Sequence, residues 1–300
     1  MRVYNYTYGK KTDGSRVIAL GLFDGVHLGH RALIDAARGL ARRLGTHLSV
    51  FTFSSEDALL KGGARIYSTE RKLEILESLD VDEVIITDFS SVSEISAADF
   101  VRSVSVDMGA VAAVCGRDFR FGKGALGNTE LLASLGRELS FETLVVDDVL
   151  ANGEKISTGR IKELLGKGRI KEANELLSSP ASFTFKVLHG DGRGNSLGYP
   201  TVNAECTGFC ALLPHGVYRT EVEISGKRYT GMTNLGTCPT FPERKAHIET
   251  YILDYSGNLY EREITISFLD FIRPERKFKT SEDLVLQIDK DVEKLRFMRE

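Results

Sequence analysis

Several features that would place this chain in a membrane or outside the cell are missing from its sequence. It has no run of about 18 apolar residues, the minimum for a membrane-spanning helix, and its first residues lack the apolar core of a signal peptide. Only 4 of its 300 residues are cysteine, which excludes a disulfide framework and predicts a reduced, cytoplasmic protein. The 39 basic and 42 acidic residues leave a net charge of −3, so we expect neither nucleic acid nor a membrane as partner. Composition leaves the oligomeric state unknown.

Proline is absent from the first 179 residues, and all 6 prolines follow from Pro180 onward. The shift coincides with a change from a helical pattern to a strand-rich one. A chain of 300 residues has room for two domains at roughly 100–200 residues each. We therefore predict an N-terminal domain over 1–180 and a C-terminal domain over 181–300.

The N-terminal domain alternates short apolar runs with segments of helical periodicity. Strands are predicted at 16–21, 47–53, 83–87, 110–115 and 141–146. Helices are predicted at 33–44, 68–79, 96–108 and 129–135. This alternation predicts an α/β domain with a parallel sheet, in which ligands bind beyond the carboxyl ends of the strands.

The C-terminal domain shows short strands separated by glycine, asparagine and proline turns. Strands are predicted at 183–188, 217–224, 228–234, 247–253 and 263–271. A helix is predicted over 281–298, with Ser281 as its cap. The pattern predicts an antiparallel barrel or sandwich closed by a terminal helix.

A glycine-rich segment follows the first predicted strand and opens the first helix. Gly21, Gly25 and Gly29 allow a backbone to approach phosphates closely, and a helix N-terminus favours anions. His27 and His30 are three residues apart, so on a helix they share one face and can donate hydrogen bonds to a nucleotide. The alternatives are a zinc pair or two surface histidines, although zinc needs further ligands that the neighbouring sequence lacks.

The run GLFDGVHLGH over 21–30 resembles the signature of the HxGH nucleotidylyltransferase superfamily. Within that superfamily, the residues FDGVHLGH over 23–30 are similar to the corresponding segment of the bacterial bifunctional riboflavin kinase/FAD synthetases. GRDFRFG over 116–122 resembles that family's flavin-side loop, and ISTGRIK over 156–162 resembles its ATP-phosphate helix start. The resemblance implies a Rossmann-like α/β domain that adenylylates FMN with ATP, with His27 and His30 as catalytic residues. The nucleotide-binding residues that it implies here are Gly21, Phe23, Asp24, Gly25, Gly29, Ser157, Thr158 and Arg160, and the flavin-binding ones are Asp118, Phe119 and Phe121.

A second glycine pattern offers a competing interpretation. Residues 122–127, GKGALG, match G-x-G-x-x-G, and Asp147 lies about twenty residues beyond, as in a dinucleotide fingerprint. The match follows another loop rather than a strand and is far from the first strand. We therefore do not favour an NAD site, and the absence of G-x-x-x-x-G-K-[ST] argues against P-loop chemistry.

In the C-terminal domain, four glycines fall within the nine residues 190–198, just before Pro200-Thr-Val-Asn203. Such a segment is either a flexible hairpin loop or a cover for phosphates. If the chain is extended here, Thr201 and Asn203 point to the same side. Hydroxyl and amide oxygens are hard ligands suited to Mg²⁺ that also holds substrate phosphates.

This block resembles the riboflavin kinase signature, a glycine-rich loop ending in G-[FY]-P-T-x-N. Further similar blocks follow at 213–218, 233–241, 249–254 and 272–278. The resemblance implies a β-barrel riboflavin kinase with Glu249 as general base for the riboflavin hydroxyl, Thr201 and Asn203 as Mg²⁺ ligands, and Arg273 as a flavin residue. The nucleotide-binding residues that it implies in this domain are Gly190, Gly192, Arg193 and Gly198.

The sequence departs from the family pattern at four places. The family's Pro-His-Pro element is replaced by Phe53-Ser-Ser-Glu56, and S-S-T-R-I-R by S-T-G-R-I-K. Tyr251 replaces the histidine of E-x-H, and Glu261 replaces the glycine of L-Y-G. Two alternatives therefore stay open: a chain that keeps one activity, or a flavin- or nucleotide-binding regulator without catalysis.

A zinc site is a further interpretation of the C-terminal domain. The candidate ligands are Cys206, Cys210, Cys238 and His215. Their spacing lacks the paired knuckles of zinc motifs, and cysteine is commonly a small buried apolar residue. We do not favour it.

Overall fold

The computed structural model describes residues 1–54, 63–190, 192–205, 208–236 and 247–298. Some positions singled out in the sequence lie outside this range: Ser55, Glu56, Cys206, Cys238, the rest of 237–241, and the side chain of Arg193.

The chain forms two compact units. Unit 1 comprises Met1–Gly63 and Ser68–Thr158, and unit 2 comprises Ala64–Tyr67 and Gly159–Glu300.

Unit 1 is built on a six-stranded sheet in which every described strand pairing is parallel. Its strands are β1 (Arg2–Asn5), β2 (Arg16–Leu20), β3 (His47–Phe53), β4 (Glu83–Thr87), β5 (Ala110–Gly116) and β6 (Glu142–Val146). Its helices are α1 (Leu28–Leu44), α2 (Thr69–Ser78), α3 (Ala97–Arg102) and α4 (Thr129–Glu138). A small antiparallel pair, β7 (Leu150–Ala151) and β8 (Glu154–Lys155), follows. The predicted parallel α/β domain is confirmed.

The strand order places the first glycine segment at a switch point of the sheet. The order is β1-β4-β3-β2-β5-β6, so β2 lies between β3 and β5, and the chain continues in opposite directions on its two sides. Both β2 and the middle of β5 are buried, as their apolar runs predict. The segments that leave the carboxyl ends of β2 and β5 therefore border one crevice, the usual ligand position in such sheets.

Two details of unit 1 differ from the prediction. The predicted helix over 96–108 is interrupted, because α3 ends at Arg102 and Ser103–Asp107 form a π-helical turn. The sequence analysis also missed β1, a four-residue strand that pairs with β4 at the sheet edge. Its residues are mostly exposed, so it carries no apolar signal of burial.

Unit 2 is an antiparallel sheet with helices before, within and after its strands in the sequence. The helices are α5 (Thr158–Gly166, starting at the last residue of unit 1), α6 (Ile170–Leu176), α7 (Arg193–Ser196) and α8 (Ser281–Phe297). The strands are β9 (Ser182–Lys186), β10 (Thr201–Glu205), β11 (Gly216–Ile224), β12 (Lys227–Gly236), β13 (His247–Ile252) and β14 (Glu263–Pro274). They pair in the order β10-β13-β12-β11-β14-β9.

The sheet of unit 2 curves until its two edges meet. The Leu188 N–H, just after β9, donates to the Asn203 carbonyl oxygen of β10 at 2.8 Å. This bridge joins the first and last strands of the sheet order into a nearly closed barrel. The predicted antiparallel barrel with a terminal helix is confirmed.

The terminal helix is capped one residue earlier than predicted. Thr280 has an extended backbone, and its Oγ1 accepts a hydrogen bond from the Asp283 N–H at 3.1 Å. Ser281 is the first helical residue, so its predicted capping role is wrong. Leu295 of this helix packs in a core cluster with Val217 and Met232.

Of the cysteines that the structure describes, Cys115 is a buried free thiol and Cys210 is disulfide-bonded. The expectation of reduced cysteines is therefore wrong at Cys210. Among the helices of the described residues, none combines the length and apolarity needed to cross a bilayer.

Candidate active sites

The loop after β2 folds back tightly at the crevice. Phe23 and Val26 are fully buried and have positive φ angles of 52° and 36°, a conformation that non-glycine residues adopt at a cost. Gly25, between them, has a φ of 85°. The Gly21 N–H donates to the Phe51 carbonyl oxygen at 3.3 Å, which ties the start of the loop to β3. Such strain is typical of functional loops that the surrounding fold holds in place.

His27 is the N-cap of α1. Its Nδ1 accepts a hydrogen bond from the His30 N–H at 3.2 Å, so the proton of the neutral ring resides on Nε2. The prediction placed both histidines on a helix face, whereas only His30 is helical. Their rings nevertheless stack at 3.6 Å between centroids, 14° from parallel. We call the pair the His27–His30 site.

The glycine between the two histidines leaves room for the His27 ring. A Cβ on Gly29 would lie 3.1 Å from two atoms of the His27 ring. The spacing H-x-G-H thus allows the first ring to fold back over the helix start. Phe23 packs on the other histidine, with its ring centroid 5.0 Å from that of His30.

Both histidines are neutral near pH 7. Burial lowers the pKa of His27 to about 4, against the opposing effect of Asp24 and Asp118. Burial, with smaller contributions from His27 and Lys72, lowers the pKa of His30 well below its ordinary value. Within the described part of the chain, the buried Nδ1 of His30 has no hydrogen-bond partner. The site can therefore offer N–H donors to an anion, but not two imidazolium charges.

An ion-pair cluster lies at the same edge of unit 1. Lys155 Nζ is 2.9 Å from Asp118 Oδ2 and 2.8 Å from Asp148 Oδ1. This lysine holds the pKa of Asp118 below its usual range. Because the Asp118 side chain is 76% exposed, it stays accessible to a ligand. The sequence analysis predicted Asp118 but missed Lys155 and Asp148.

Thr158 of the ISTGRIK segment is hydrogen-bonded to the first loop. Thr158 Oγ1 donates to the Asp24 carbonyl oxygen at 2.9 Å. Asp24 itself is buried. Ser157 directly precedes α5, and Arg160 lies in its first turn, in unit 2.

A buried lysine is connected by hydrogen bonds to the loop that follows β2. Lys72 of α2 is only 2% exposed, and its Nζ donates to Thr52 Oγ1 at 3.2 Å. Thr52 in turn donates to the Leu22 carbonyl oxygen at 2.7 Å. This chain of hydrogen bonds links α2 to the loop of the His27–His30 site. The sequence analysis missed it, because one lysine in an ordinary helix carries no local signal.

The predicted flavin-side phenylalanines differ in burial. Phe121 is 6% exposed and packs against Phe100, with 5.2 Å between ring centroids. Phe119 is exposed at intermediate level and stacks on Phe121 at 5.5 Å. Of the two rings, Phe119 therefore offers more surface to a ligand.

The structure explains the second glycine pattern without a nucleotide. Gly122 and Gly124 have φ angles of 73° and 66°, which a side chain rarely adopts. A Cβ on Gly127 would lie 2.5 Å from the Phe121 ring. These glycines form a tight turn whose ends pair at Phe121 and Gly127.

Unit 2 contains a cavity of approximately 370 Å³. Thr201 and Asn203 of β10 both line it, as the alternation of an extended strand predicts. Directly opposite them on β13 are Tyr251 and Glu249, and both also line the cavity. We call this the Glu249 cavity.

The glycine-rich segment lies against the two β10 residues. A Cβ on Gly190 would lie 2.4 Å from Asn203 Nδ2, and one on Gly194 would lie 3.0 Å from Thr201 Oγ1. Gly192 lines the cavity and has a φ of 70°, and Gly198 has a φ of 86°. The segment contains one helical turn, α7, so it is not a plain hairpin loop.

Glu249 has polar neighbours on both sides. Asn203 and Asn234 lie opposite it on the two adjoining strands. His247, two residues earlier, places Nε2 3.4 Å from Glu249 Oε1 and also lines the cavity. The sequence analysis identified Glu249 but missed His247.

The terminal helix closes one side of the cavity, where Leu284 and Ile288 line it. Arg273, predicted as a flavin residue, forms an ion pair with Asp291 of α8 through Nη2 at 2.8 Å. Tyr199 donates from its hydroxyl to Asp289 of the same helix. Arg273 lines the cavity while its charge is already paired.

The departure at Glu261 has a structural cost. Its φ is 64°, in the left-handed region that glycine adopts freely. The family's glycine at this position therefore matches the backbone, whereas the glutamate is strained. Its carboxylate forms an exposed ion pair with Lys186.

Comparison with known proteins assigns a family to each part of the chain. The FAD synthetase family model matches residues 9–160, and the riboflavin kinase model matches residues 177–298. The bifunctional riboflavin kinase/FMN adenylyltransferase of Listeria monocytogenes is 35% identical over 93% of this chain and 91% of its own length. That of Bacillus subtilis is 32% identical over 94% and 92%.

A solved structure matches over the full length of both chains. The crystal structure named macrolide-efflux protein from Streptococcus pneumoniae has a TM-score of 0.87, 30% sequence identity and 99% coverage of each chain. Its name differs from those of the curated relatives, and it contributes the likeness of fold. The two family models and the curated relatives together show that this chain belongs to the bifunctional riboflavin kinase/FMN adenylyltransferase family.

Proposed function

We propose that this chain phosphorylates riboflavin to FMN at the Glu249 cavity and adenylylates FMN to FAD at the His27–His30 site. ATP and flavins are the substrates of its family. The observation that carries the proposal is that His27 and His30 stack together in unit 1, while Thr201, Asn203 and Glu249 line one cavity in unit 2. We assign FAD formation to the N-terminal domain predicted over 1–180 and FMN formation to the C-terminal domain predicted over 181–300; the matched family ranges, 9–160 and 177–298, give the same order along the chain.

At the Glu249 cavity, the Glu249 carboxylate accepts the proton of the riboflavin 5′-hydroxyl. The hydroxyl oxygen then attacks the γ-phosphorus of ATP, and ADP leaves. Glu249 lines the cavity together with Gly192 and Gly194 of the glycine-rich segment, which supports this role. Phosphoryl transfer depends mostly on positioning and electrostatics, so the loop that holds the phosphates matters as much as the base.

The residues at β10 fit a magnesium ion. Asn203 Nδ2 donates to the Thr201 carbonyl oxygen at 3.3 Å, which leaves its Oδ1 as the acceptor side of the amide. Thr201 Oγ1 and Asn203 Oδ1 are hard oxygen donors on the same face of one strand. When bound, Mg²⁺ offsets negative charge on the ATP phosphates. We therefore propose Mg²⁺ as the metal, held by Thr201 and Asn203.

At the His27–His30 site, an oxygen of the FMN phosphate attacks the α-phosphorus of ATP, and pyrophosphate leaves. His27 Nε2–H and the neutral ring of His30 donate hydrogen bonds to the phosphate oxygens on which charge increases. Thr158, Ser157 and the loop from Gly21 to Gly25 hold the nucleotide. Asp118 and Phe119 lie on the flavin side. These steps need no covalent intermediate with the protein.

The test is a chromatographic time course of riboflavin with ATP and Mg²⁺. We expect FMN to rise and fall while FAD accumulates, and a chelator to stop both steps. FMN without FAD would restrict the function to the kinase. Failure to convert either riboflavin or FMN would contradict catalysis and favour a flavin-binding regulator.

Because both reactions use ATP, we propose the cytoplasm as the compartment.

A further inference from the structure

The surroundings of Glu249 contain one imidazole that the reaction above does not use. His247 and Glu249 are alternate residues of β13, so their side chains leave the same face of the strand. Both line the cavity, and His247 Nε2 lies 3.4 Å from Glu249 Oε1. At 3.4 Å the imidazole lies just beyond ordinary hydrogen-bond distance from one carboxylate oxygen, so a slight approach would hold that oxygen and leave the other to receive a proton.

The described groups opposite Glu249 and next along its strand differ from His247. Asn203 and Asn234, opposite it on the neighbouring strands, are uncharged amides. Tyr251, two residues further along β13, packs edge-on against Tyr199 at 5.2 Å between ring centroids. Along β13, Glu249 therefore has the Tyr251 ring, packed on Tyr199, on one side and the His247 imidazole on the other.

Glu249 also needs a constraint, because its side chain is 43% exposed. A half-exposed glutamate samples several rotamers, and few of them direct an oxygen at a substrate hydroxyl. Misplacement of a catalytic group by about 1 Å costs on the order of 100-fold in rate. His247 is less exposed, at 29%, and lies next to the carboxylate.

We propose that His247 is a positioning residue that orients the Glu249 carboxylate for proton transfer from the riboflavin hydroxyl. This inference rests on the proposed role of Glu249. His247 acts through Glu249 and takes no part in the bond changes: the proton still moves to Glu249, and the phosphoryl group to the hydroxyl oxygen. The effect of removing His247 should therefore fall on kcat for FMN formation rather than on substrate affinity.

The experiment compares His247→Leu with His247→Gln in the full chain. Leucine removes the N–H donor, whereas glutamine keeps an N–H at similar reach. We expect about 10- to 100-fold loss of kcat in H247L, nearly full kcat in H247Q, and an unchanged riboflavin Kd by flavin fluorescence in both. Equal kcat in H247L and the wild type, or equal losses in both variants, would overturn the proposal.

A double-mutant cycle separates this inference from the assignment of the base. If His247 acts through Glu249, H247L adds no further loss in an E249Q background, because the carboxylate it orients is gone. Additive losses would overturn the positioning role while leaving Glu249 as the base. Full kinase activity in E249Q would instead remove the base assignment itself. FAD formation from supplied FMN, measured on each variant, normalises for the amount of intact chain.

Discussion

In unit 1 the two candidate histidines come from neighbouring positions of one segment, whereas in unit 2 the candidate residues come from three different strands. His27 and His30 stack on each other through a helix cap and a glycine between them. Glu249, Asn203 and Arg273 meet only because β13, β10 and β14 surround one cavity. The first site is fixed by local backbone geometry and burial, and the second by strand register. They should therefore fail in different ways when single residues change.

The largest expected effect tests whether the two sites act separately. In Glu249→Gln the amide cannot accept the riboflavin proton, so FMN formation should fall by about 10²- to 10⁴-fold. FAD formation from supplied FMN should persist. Both rates are measured chromatographically. Glu223→Gln, an exposed residue of β11, is the matched control and should leave both rates unchanged.

The converse change is His30→Ala. Loss of one preorganised donor costs about 10²- to 10³-fold in kcat, so FAD formation should fall by that amount while FMN formation continues. His47→Ala, at the exposed amino end of β3, controls for the loss of a histidine in unit 1. A variant that makes FAD at the normal rate would remove His30 from the phosphate site.

Lowering the pH should reduce the free energy of unfolding of unit 1, because its buried imidazoles are held in the neutral form. The pKa of His27 is about 4 in the folded protein and 6.5 in the unfolded reference, so the unfolded chain binds the proton more readily. This contribution to stability is complete above pH 6.5 and is lost as the pH falls towards 4, by about 3 kcal/mol. Thermal unfolding between pH 7 and 4 measures the slope.

His27→Asn sharpens that measurement. Asparagine keeps a side-chain oxygen to cap α1, so the helix start is preserved while the titrating ring is removed. The variant should lose less stability between pH 6.5 and 4 than the wild type. Identical slopes would show that His27 does not couple folding to protonation.

The smallest expected effect concerns the barrel of unit 2. Glu261→Gly relieves the left-handed backbone strain but makes the unfolded chain more flexible, so we expect stabilisation of less than about 1 kcal/mol. Glu263→Gly, two residues later in β14, should instead destabilise by about 0.5–1 kcal/mol. Thermal unfolding compares the two, and a destabilised Glu261→Gly would mean that the Lys186 ion pair outweighs the strain.

The contrast between the two sites also explains what could be predicted from the sequence. The loop, the histidine pair and Gly29 are close along the chain, so their chemistry was visible in one motif. Thr201 and Asn203 could be placed on one face because strand alternation is a local rule. The β10–β13 register that puts them opposite Tyr251 and Glu249 could not, since it depends on pairing across about fifty residues.

Residues whose importance comes from their contacts with other side chains could not be identified from the sequence. Lys72, Lys155 and His247 are ordinary by type and spacing, and only their neighbours in space give them a role. Arg273 shows the opposite case, because the sequence assigned it to flavin while its charge is paired with Asp291. The strand β1 was missed because an exposed edge strand lacks the apolar pattern of a buried one.

The hydrogen bond that closes the barrel of unit 2 connects the Glu249 cavity to one backbone amide, that of Leu188. Asn203 accepts the Leu188 N–H through its backbone while its side chain lines the cavity. A ligand that contacts the Asn203 side chain and restricts its motion should also restrict the backbone where the first and last strands of the sheet meet. Exchange of the Leu188 amide hydrogen for deuterium therefore depends on local opening at this seam, and we expect it to slow when a ligand occupies the cavity. One backbone proton thus records ligand occupancy without any label in the site.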